Sequence, residues 1–530
     1  MSQTTSNAID PILDPEVHAR RWQILGVMCL SLLVVMLANT SMNVALPILS
    51  GALGATSTDL QWIVDSYSLV FAGLLFTAGT VGDRYGRKLV LQIGLVVFGV
   101  ASVIATFLVS TPGQLIATRA LMGLGGALVM PATLSILTNV FPREERAKAV
   151  AMWAGISGAG TALGPVLSGF LLEHYSWASV FALNIPFIAI AIFMVWKLVP
   201  RSRNAEEAPI DVRGALLSII GVSTLVYAII EAPGHGWLAA ETLGVAAIGV
   251  IALAAFVWWE LRAESPMLDV RLFKIPAFGV SSLVLTLVFF TLMGIFFSVS
   301  QLLQLVYGYS PLAASVRMLP VSVMLVVVAP QSPKLVERYG KRTVVAAGMV
   351  FMAVGLAVLS RMDAGSSYAL LLVGLVLMAG GIAAAMSPTT DLLMSAVPRE
   401  HAGMGSAMND TTRELGGSLG VAVFGSLLAS RYVHELAPSL GGLADSASRT
   451  AQDSLGGALG VAERAGGTDG AGLAAAARDA WMSGFSLSLM IGTVIIAAAA
   501  VLAYKGLPDA AADEELAALE VDGAFEHASA

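Results

Sequence analysis

The chain has 530 residues, 57% hydrophobic and only 12% charged, with a mean hydropathy of +0.80. About 25% charged residues is usual for a soluble domain, so a soluble fold is excluded and an all-α integral membrane protein is expected. The formal charge of -7 excludes the basic patches of a nucleic-acid binder, and a single cysteine, Cys29, excludes an internal disulfide or a thiolate metal site.

In chain order, residues 1–21 are polar and contain Asp10, Asp14 and Glu16, unlike the basic start of a cleavable signal peptide, so the first helix is expected to be retained. Apolar runs then predict fourteen spans, at 22–48, 60–82, 89–110, 114–140, 147–172, 179–199, 213–231, 240–261, 277–306, 311–332, 342–361, 367–393, 405–430 and 481–504. Residues 431–480, rich in Ala, Gly and Ser, read as a long, partly helical or flexible outer loop, and residues 505–530 as a short acidic tail. With this layout 21 of the 29 basic residues fall on one side, so both termini are expected in the cytoplasm of a bacterial inner membrane. The tryptophans agree, with Trp22, Trp153, Trp196, Trp258 and Trp259 near inner ends and Trp62, Trp177, Trp237 and Trp481 near outer ends.

Two loops repeat. Asp83-Arg84-Tyr85-Gly86-Arg87-Lys88 recurs 254 residues later as Glu337-Arg338-Tyr339-Gly340-Lys341-Arg342, and Pro142-Arg143-Glu144 recurs 256 residues later as Pro398-Arg399-Glu400. A duplicated six-helix unit explains both spacings: a first bundle over 22–199, two inserted helices over 213–261, and a second bundle over 277–504. Such parallel repeats are a transporter architecture, with substrate held near the midplane where the bundles meet.

Three stretches carry more than span signals. In the loop 79–88, Gly79 and Gly82 permit close helix approach, Gly86 allows a tight turn, and the cations fix the loop inside. In the fifth span, glycines at Gly160, Gly164 and, beyond them, Gly169 offer a packing face that Pro165 bends by removing a hydrogen bond to the Thr161 carbonyl. In the fourth, Arg119 places a charge within the membrane, where it either faces the interior and finds an acceptor or snorkels to the nearer interface.

These stretches resemble motifs of the major facilitator superfamily. The helix number, with Asn43-Val44-Ala45-Leu46-Pro47 and Gly308-Tyr309-Ser310-Pro311-Leu312, narrows the resemblance to its fourteen-helix drug:proton antiporter branch. The resemblance implies that Gly79, Asp83, Arg84, Gly86 and Arg87, with Glu337 in the second copy, belong to a latch between the halves. It implies that Gly160, Gly164, Pro165 and Gly169 form the antiporter motif associated with export, and that Arg119 takes part in proton transfer. Two departures stand out: Ser168 occupies a place where Gly is usual, and Ala38 occupies the place of a customary helix-one Asp.

A proton-driven cycle needs an interior group that changes protonation as access alternates. Asp410 and Glu414 lie four apart on one face of the thirteenth span with Arg413 adjacent, so they either share a proton or form a permanent Arg–carboxylate lock. Asp65 in the second span either replaces the missing acid by facing Asn39 and Asn43, as a group for coupling and for cationic substrates, or is wetted from outside. Asp391, after Pro388, reads as hydrated at a broken helix end. Asn39, Asn43, Asp65, Phe297, Gln301 and Gln304 are the candidate substrate contacts.

The expectation is therefore proton-coupled export of hydrophobic or cationic drugs or secreted metabolites by alternating access. The alternative is a proton-coupled symporter or facilitator of a small metabolite with the same fold. No catalytic residue, metal site or cofactor is expected, the proton serving as coupling ion. The expected partners are the lipid bilayer, a small-molecule substrate and protons, with the chain acting as a monomer. No phosphate-cradling G-x-x-x-x-G-K-[ST] run exists to use ATP.

Overall fold

The computed structural model describes residues 15–202, 211–263, 266–397 and 402–508. Asp10, Asp14, the Pro398-Arg399-Glu400 repeat and the tail beyond 508 lie outside the described residues, as do the side chains of Glu16, Asp83, Arg143 and Glu144.

The described residues form α-helices with short 3-10 and π turns and no strand. The first seven helices are α1 (Pro15–Ala52), α2 (Ser57–Tyr85), α3 (Arg87–Phe107), α4 (Pro112–Val140), α5 (Arg143–His174), α6 (Ser179–Ala182) and α7 (Asn184–Leu198). An antiparallel pair follows, α8 (Val212–His235) and α9 (Ala240–Glu260). The rest are α10 (Pro276–Gln301), α11 (Pro311–Val328), α12 (Ser332–Tyr339), α13 (Lys341–Leu359), α14 (Tyr368–Ser395), α15 (Ala402–Leu436), α16 (Asp445–Asp453), α17 (Leu455–Ala465) and α18 (Gly467–Gly506). Twelve described helices are long and apolar enough to cross a membrane. Two more long helices, α2 and α15, pack among them and carry Asp65 and the Asp410–Arg413–Glu414 set.

Local sequence sets the ends. Thr56 and Asp59 make a reciprocal capping box at the start of α2, Thr111 caps α4 ahead of Pro112, and Ser310 caps α11 ahead of Pro311. The repeated basic loops share one geometry. Gly86, at φ +117°, ends α2 and begins α3, and Gly340, at φ +80°, ends α12 and begins α13, a backbone region that favours glycine. At this basic end Lys88 Nζ donates to the carbonyls of Trp196 and Val199 at 2.9 and 2.7 Å, capping the end of α7.

Apolar burial gathers the helices into two cores. One joins Ile24, Phe71, Phe98, Met122 and Phe181 from α1–α7, and the other joins Val288, Met349, Met378, Phe424 and Phe485 from α10–α18. The α8–α9 pair lies against both: Val226 and Ile230 of α8 cluster with Leu69 of α2 and Ala422 of α15. Trp62 of α2 donates from Nε1 to Glu231 at 3.0 Å, and Trp237 after α8 donates to Ser430 of α15 at 3.0 Å.

Several boundaries differ from the sequence expectation. Helix α1 begins at Pro15, and the segment predicted as one span over 179–199 breaks at Leu183 into α6 and α7. The stretch 431–480 is helical in most of its length, because α15 runs on to Leu436, α18 begins at Gly467, and α16 and α17 fill the turn between them. At 1.5 Å per residue the 40-residue α18 is about 60 Å long, roughly twice the hydrocarbon thickness. Trp481 sits inside the second core, 1% exposed and stacked on Phe485 at 5.4 Å, so its ring does not face lipid.

Candidate functional site

Helices α2 and α15 cross closely where the two cores meet. Ser426 donates to Gln61 Oε1 at 3.0 Å, and a Cβ on Gly425 would lie 2.6 Å from Gln61 Cδ. One turn along α2, Asp65 is fully buried and neither carboxylate oxygen has a hydrogen-bond partner, with the Ser418 hydroxyl of α15 beside it. Arg119 of α4 is also fully buried: Nε donates to the Ile63 carbonyl at 3.0 Å, the guanidinium lies 4.5 Å from the Tyr67 ring centroid, and both Nη atoms lack partners. Glu414 of α15 interacts electrostatically with Arg119, Ser68, Asp410 and Arg413, so one polar layer joins α2, α4 and α15.

Within that layer Asp410 accepts from Asn409 Nδ2 at 3.3 Å. Arg413 lies 5.0 Å from the Phe289 ring, with Nη2 3.9 Å from Met386 Sδ. Asp391, read from sequence as simply hydrated, is mostly exposed but also pairs with Lys341 at 3.0 Å at the basic end.

A narrow cleft opens between α1, α5, α10 and α11. Thr40, Asn43, Pro165, Phe296, Ser315 and Met318 are among its lining residues. Of the expected substrate contacts, only Asn43 lines it. Asn39 is half-buried outside the lining, and Asp65 belongs to the α2–α15 layer. Phe297 is 3% exposed and packs into the first core, because it is the neighbouring Phe296 that faces the cleft. Gln301 donates to its own helix at the Phe297 carbonyl, and Gln304, in a π turn at Leu302–Val306, donates to the Val44 carbonyl of α1 at 3.0 Å. Thr40, Ser315, Ser418 and Met318 carry no signal in the sequence, since small hydroxyls and Met are common on any helix face, and Tyr67 is one aromatic among many.

The glycine-rich face of α5 is crowded. A Cβ on Gly160 would lie 3.0 Å from Met36 of α1, one on Gly164 would overlap the Thr40 hydroxyl, and one on Gly169 would lie 2.9 Å from the Pro311 carbonyl of α11. Gly79 and Gly82 differ from the expectation of close approach, having no neighbour nearer than 3.9 Å to the place of a Cβ. At the basic end Arg84 and Glu337 are exposed, Arg87 is half-buried, and the Asp83 side chain lies outside the described ones.

Hydrogen bonds that join the two cores include ones at mid-depth and at the end opposite the basic loops. There Glu173 of α5 accepts from Ser310 Oγ at 2.9 Å and from Leu312 N at 3.3 Å, and Ser50 of α1 bonds Ser454 at 2.9 Å. At the basic end Arg21 pairs with Glu145 at 2.7 Å and holds that carboxyl below the usual range, and Lys341 pairs with Asp391.

A sequence model described as Major Facilitator Superfamily matches residues 28–421. The chain is 34% identical over 485 residues to the multidrug efflux pump LfrA of Mycolicibacterium smegmatis, covering 91% of this chain and 95% of that protein. It is 32% identical over 512 residues to a tetracenomycin C resistance and export protein of Streptomyces glaucescens, covering 94% of each. In fold it is similar to a crystal structure of a bacterial homolog of the human lysosomal transporter Spinster in an inward-facing, unoccupied conformation, with TM-score 0.65 at 15% identity, covering 94% of this chain and 98% of that one.

Proposed function

This chain belongs to the major facilitator superfamily, and from that premise we propose that it exports hydrophobic or cationic drugs or secreted metabolites in exchange for protons, by alternating access. The observation that carries the reading is the buried polar layer of Asp65, Arg119, Asp410 and Glu414, in which the Asp65 oxygens and the Arg119 Nη atoms have no hydrogen-bond partner. Ionisable groups in the hydrocarbon are costly, about 2.5–3.5 kcal/mol on insertion scales, and usually mark proton or substrate paths. The names of the two relatives support export of drugs.

In this reading α2 and α15 also span the membrane, giving fourteen spans as two six-helix halves with α8–α9 inserted between them. The basic loops face the cytoplasm of a bacterial inner membrane, as the positive-inside rule requires. Asp410 and Glu414 carry the coupled proton, Arg119 balances their charge as it changes, and α5 rolls on its glycine face against α1 and α11. The chain acts alone, with no cofactor.

The test is accumulation of ethidium in cells producing the protein, with and without a proton uncoupler. Low accumulation that rises when the uncoupler is added supports the reading. Accumulation indifferent to the protein overturns it in favour of a symporter or facilitator.

A further inference from the structure

Where α2 meets α15 the two halves present polar side chains to each other at successive turns. Ser426 of α15 donates to Gln61 of α2 at 3.0 Å. One turn along α2, the Ser418 hydroxyl of α15 acts on the Asp65 carboxyl. At the next turn the Ser68 hydroxyl of α2 acts on the Glu414 carboxyl of α15. The last two pairs are reciprocal: each buried acid meets a hydroxyl of the opposite half.

Buried hydroxyls elsewhere in this molecule serve their own helix. Ser102, Ser282 and Ser298 donate to the carbonyls four residues back, at 2.9, 2.8 and 2.9 Å. Ser418 is 1% exposed, yet its Oγ has no hydrogen-bond partner, the Glu414 carbonyl one turn back included. Its proton is unspent beside an Asp65 carboxyl whose two oxygens are also unpartnered. A hydroxyl donates to a carboxylate and accepts from a carboxylic acid, so this one can serve Asp65 before and after a proton transfer. The charged groups that α4, α8 and α15 bring to this stretch of α2 are Arg119, Glu231 and the Asp410–Arg413–Glu414 set. Glu231 accepts from Trp62 and Arg119 Nε donates to the Ile63 carbonyl, which leaves Ser418 as the side chain that answers Asp65.

We propose that Ser418 and Ser68 are positioning residues for the proton step, each hydroxyl holding an acid of the opposite half in both charge states. Parting α2 from α15 takes both hydroxyls away, so movement of the halves is linked to proton gain or loss at Asp65 and Glu414. In each cycle a carboxylate binds one proton from the outer side and releases it to the inner side, while the serines keep their own. This rests on the proton-exchange reading and adds Asp65 to the acids that carry the proton.

The experiment uses the full chain in lipid vesicles with radiolabelled ethidium, measured in two modes. Transport driven by a pH gradient requires proton gain and loss, whereas exchange of labelled for unlabelled ethidium at equal pH does not, since the carrier returns loaded. Ser418→Ala is expected to lower gradient-driven transport at least roughly tenfold, as loss of a hydrogen bond to a charged group does, and to leave exchange within about twofold of the wild type. Ser68→Ala is expected to behave in the same way. Equal loss in both modes overturns the proposal by making the hydroxyls structural, and so does full gradient-driven transport in Ser418→Ala. An equal effect of Ser102→Ala, whose hydroxyl is bonded within α3, overturns it too. In all these outcomes the wild type still transports; a wild type that moves no ethidium under a pH gradient overturns the export reading itself, and the proposal with it.

Discussion

The Arg119 guanidinium rests 4.5 Å from the centroid of the Tyr67 ring, within a layer where neither of its Nη atoms finds a hydrogen-bond partner. A desolvated cation–π contact contributes about 2 kcal/mol, less than the roughly 2.5–3.5 kcal/mol cost of placing arginine in the membrane centre. The charge is therefore not explained as a stabilising device. Arg119→Leu is expected to leave the melting temperature of purified protein unchanged or higher, because apolar replacements of buried charge are often neutral or stabilising. Proton-driven transport in vesicles should nonetheless fall at least roughly tenfold. A large drop in melting temperature with transport intact would make Arg119 a structural residue.

Asp410→Asn and Glu414→Gln each keep shape while removing a titratable group next to the other. Each is expected to reduce efflux driven by a pH gradient in reconstituted vesicles, by roughly tenfold or more, the size of a typical proton-transfer contribution or above. Full activity in the double variant would remove both acids from the coupling.

Ser50 and Ser454 hydroxyls meet at 2.9 Å across the two halves, a separation compatible with the short Cβ–Cβ distance a disulfide needs. Ser50→Cys/Ser454→Cys, in a chain whose single natural Cys29 is replaced by Ser, is expected to cross-link on mild oxidation and to halt transport until reductant is added. Continued transport by fully cross-linked protein would show that α1 and the α16–α17 turn need not part during the cycle.

Asp453, at the end of α16, is held above the usual carboxylate range by partial burial, then by Asp59 of α2 facing it, against the opposing effect of Arg449. A raised pKa in the folded state means stability that is full at low pH and lost as pH rises through that raised value. Asp453→Asn should therefore raise the melting temperature at about pH 7 and change it little at about pH 4. The same change at both pH values would trace the effect to packing instead of charge.

Much of this molecule was legible in its chain. The glycines at 86 and 340 both adopt the positive φ that the repeated loops require, because that conformation is a local property of a helix–turn–helix junction. The crowding at Gly160 and Gly164 likewise follows from small residues on one helix face. The cleft wall was less legible. Phe296 lines it whereas Phe297 packs into the first core, a rotation of about 100° per residue that no apolar run can phase without knowing its neighbours. The contacts of Arg413 with Phe289 and Met386 also depend on helices α10 and α14, far away in sequence.

The α8–α9 pair is tied by one indole to α2, through Trp62 and Glu231, and by another to α15, through Trp237 and Ser430. If the halves swing past each other in the proposed cycle, both ties cannot hold at their present lengths. The pair must ride with one half and glide over the other, and the contact of Val226 and Ile230 with Leu69 and Ala422 is suited to gliding, having no directional bonds to break. In the alternating-access cycle proposed above, that flank is the sliding gasket between the two moving bodies.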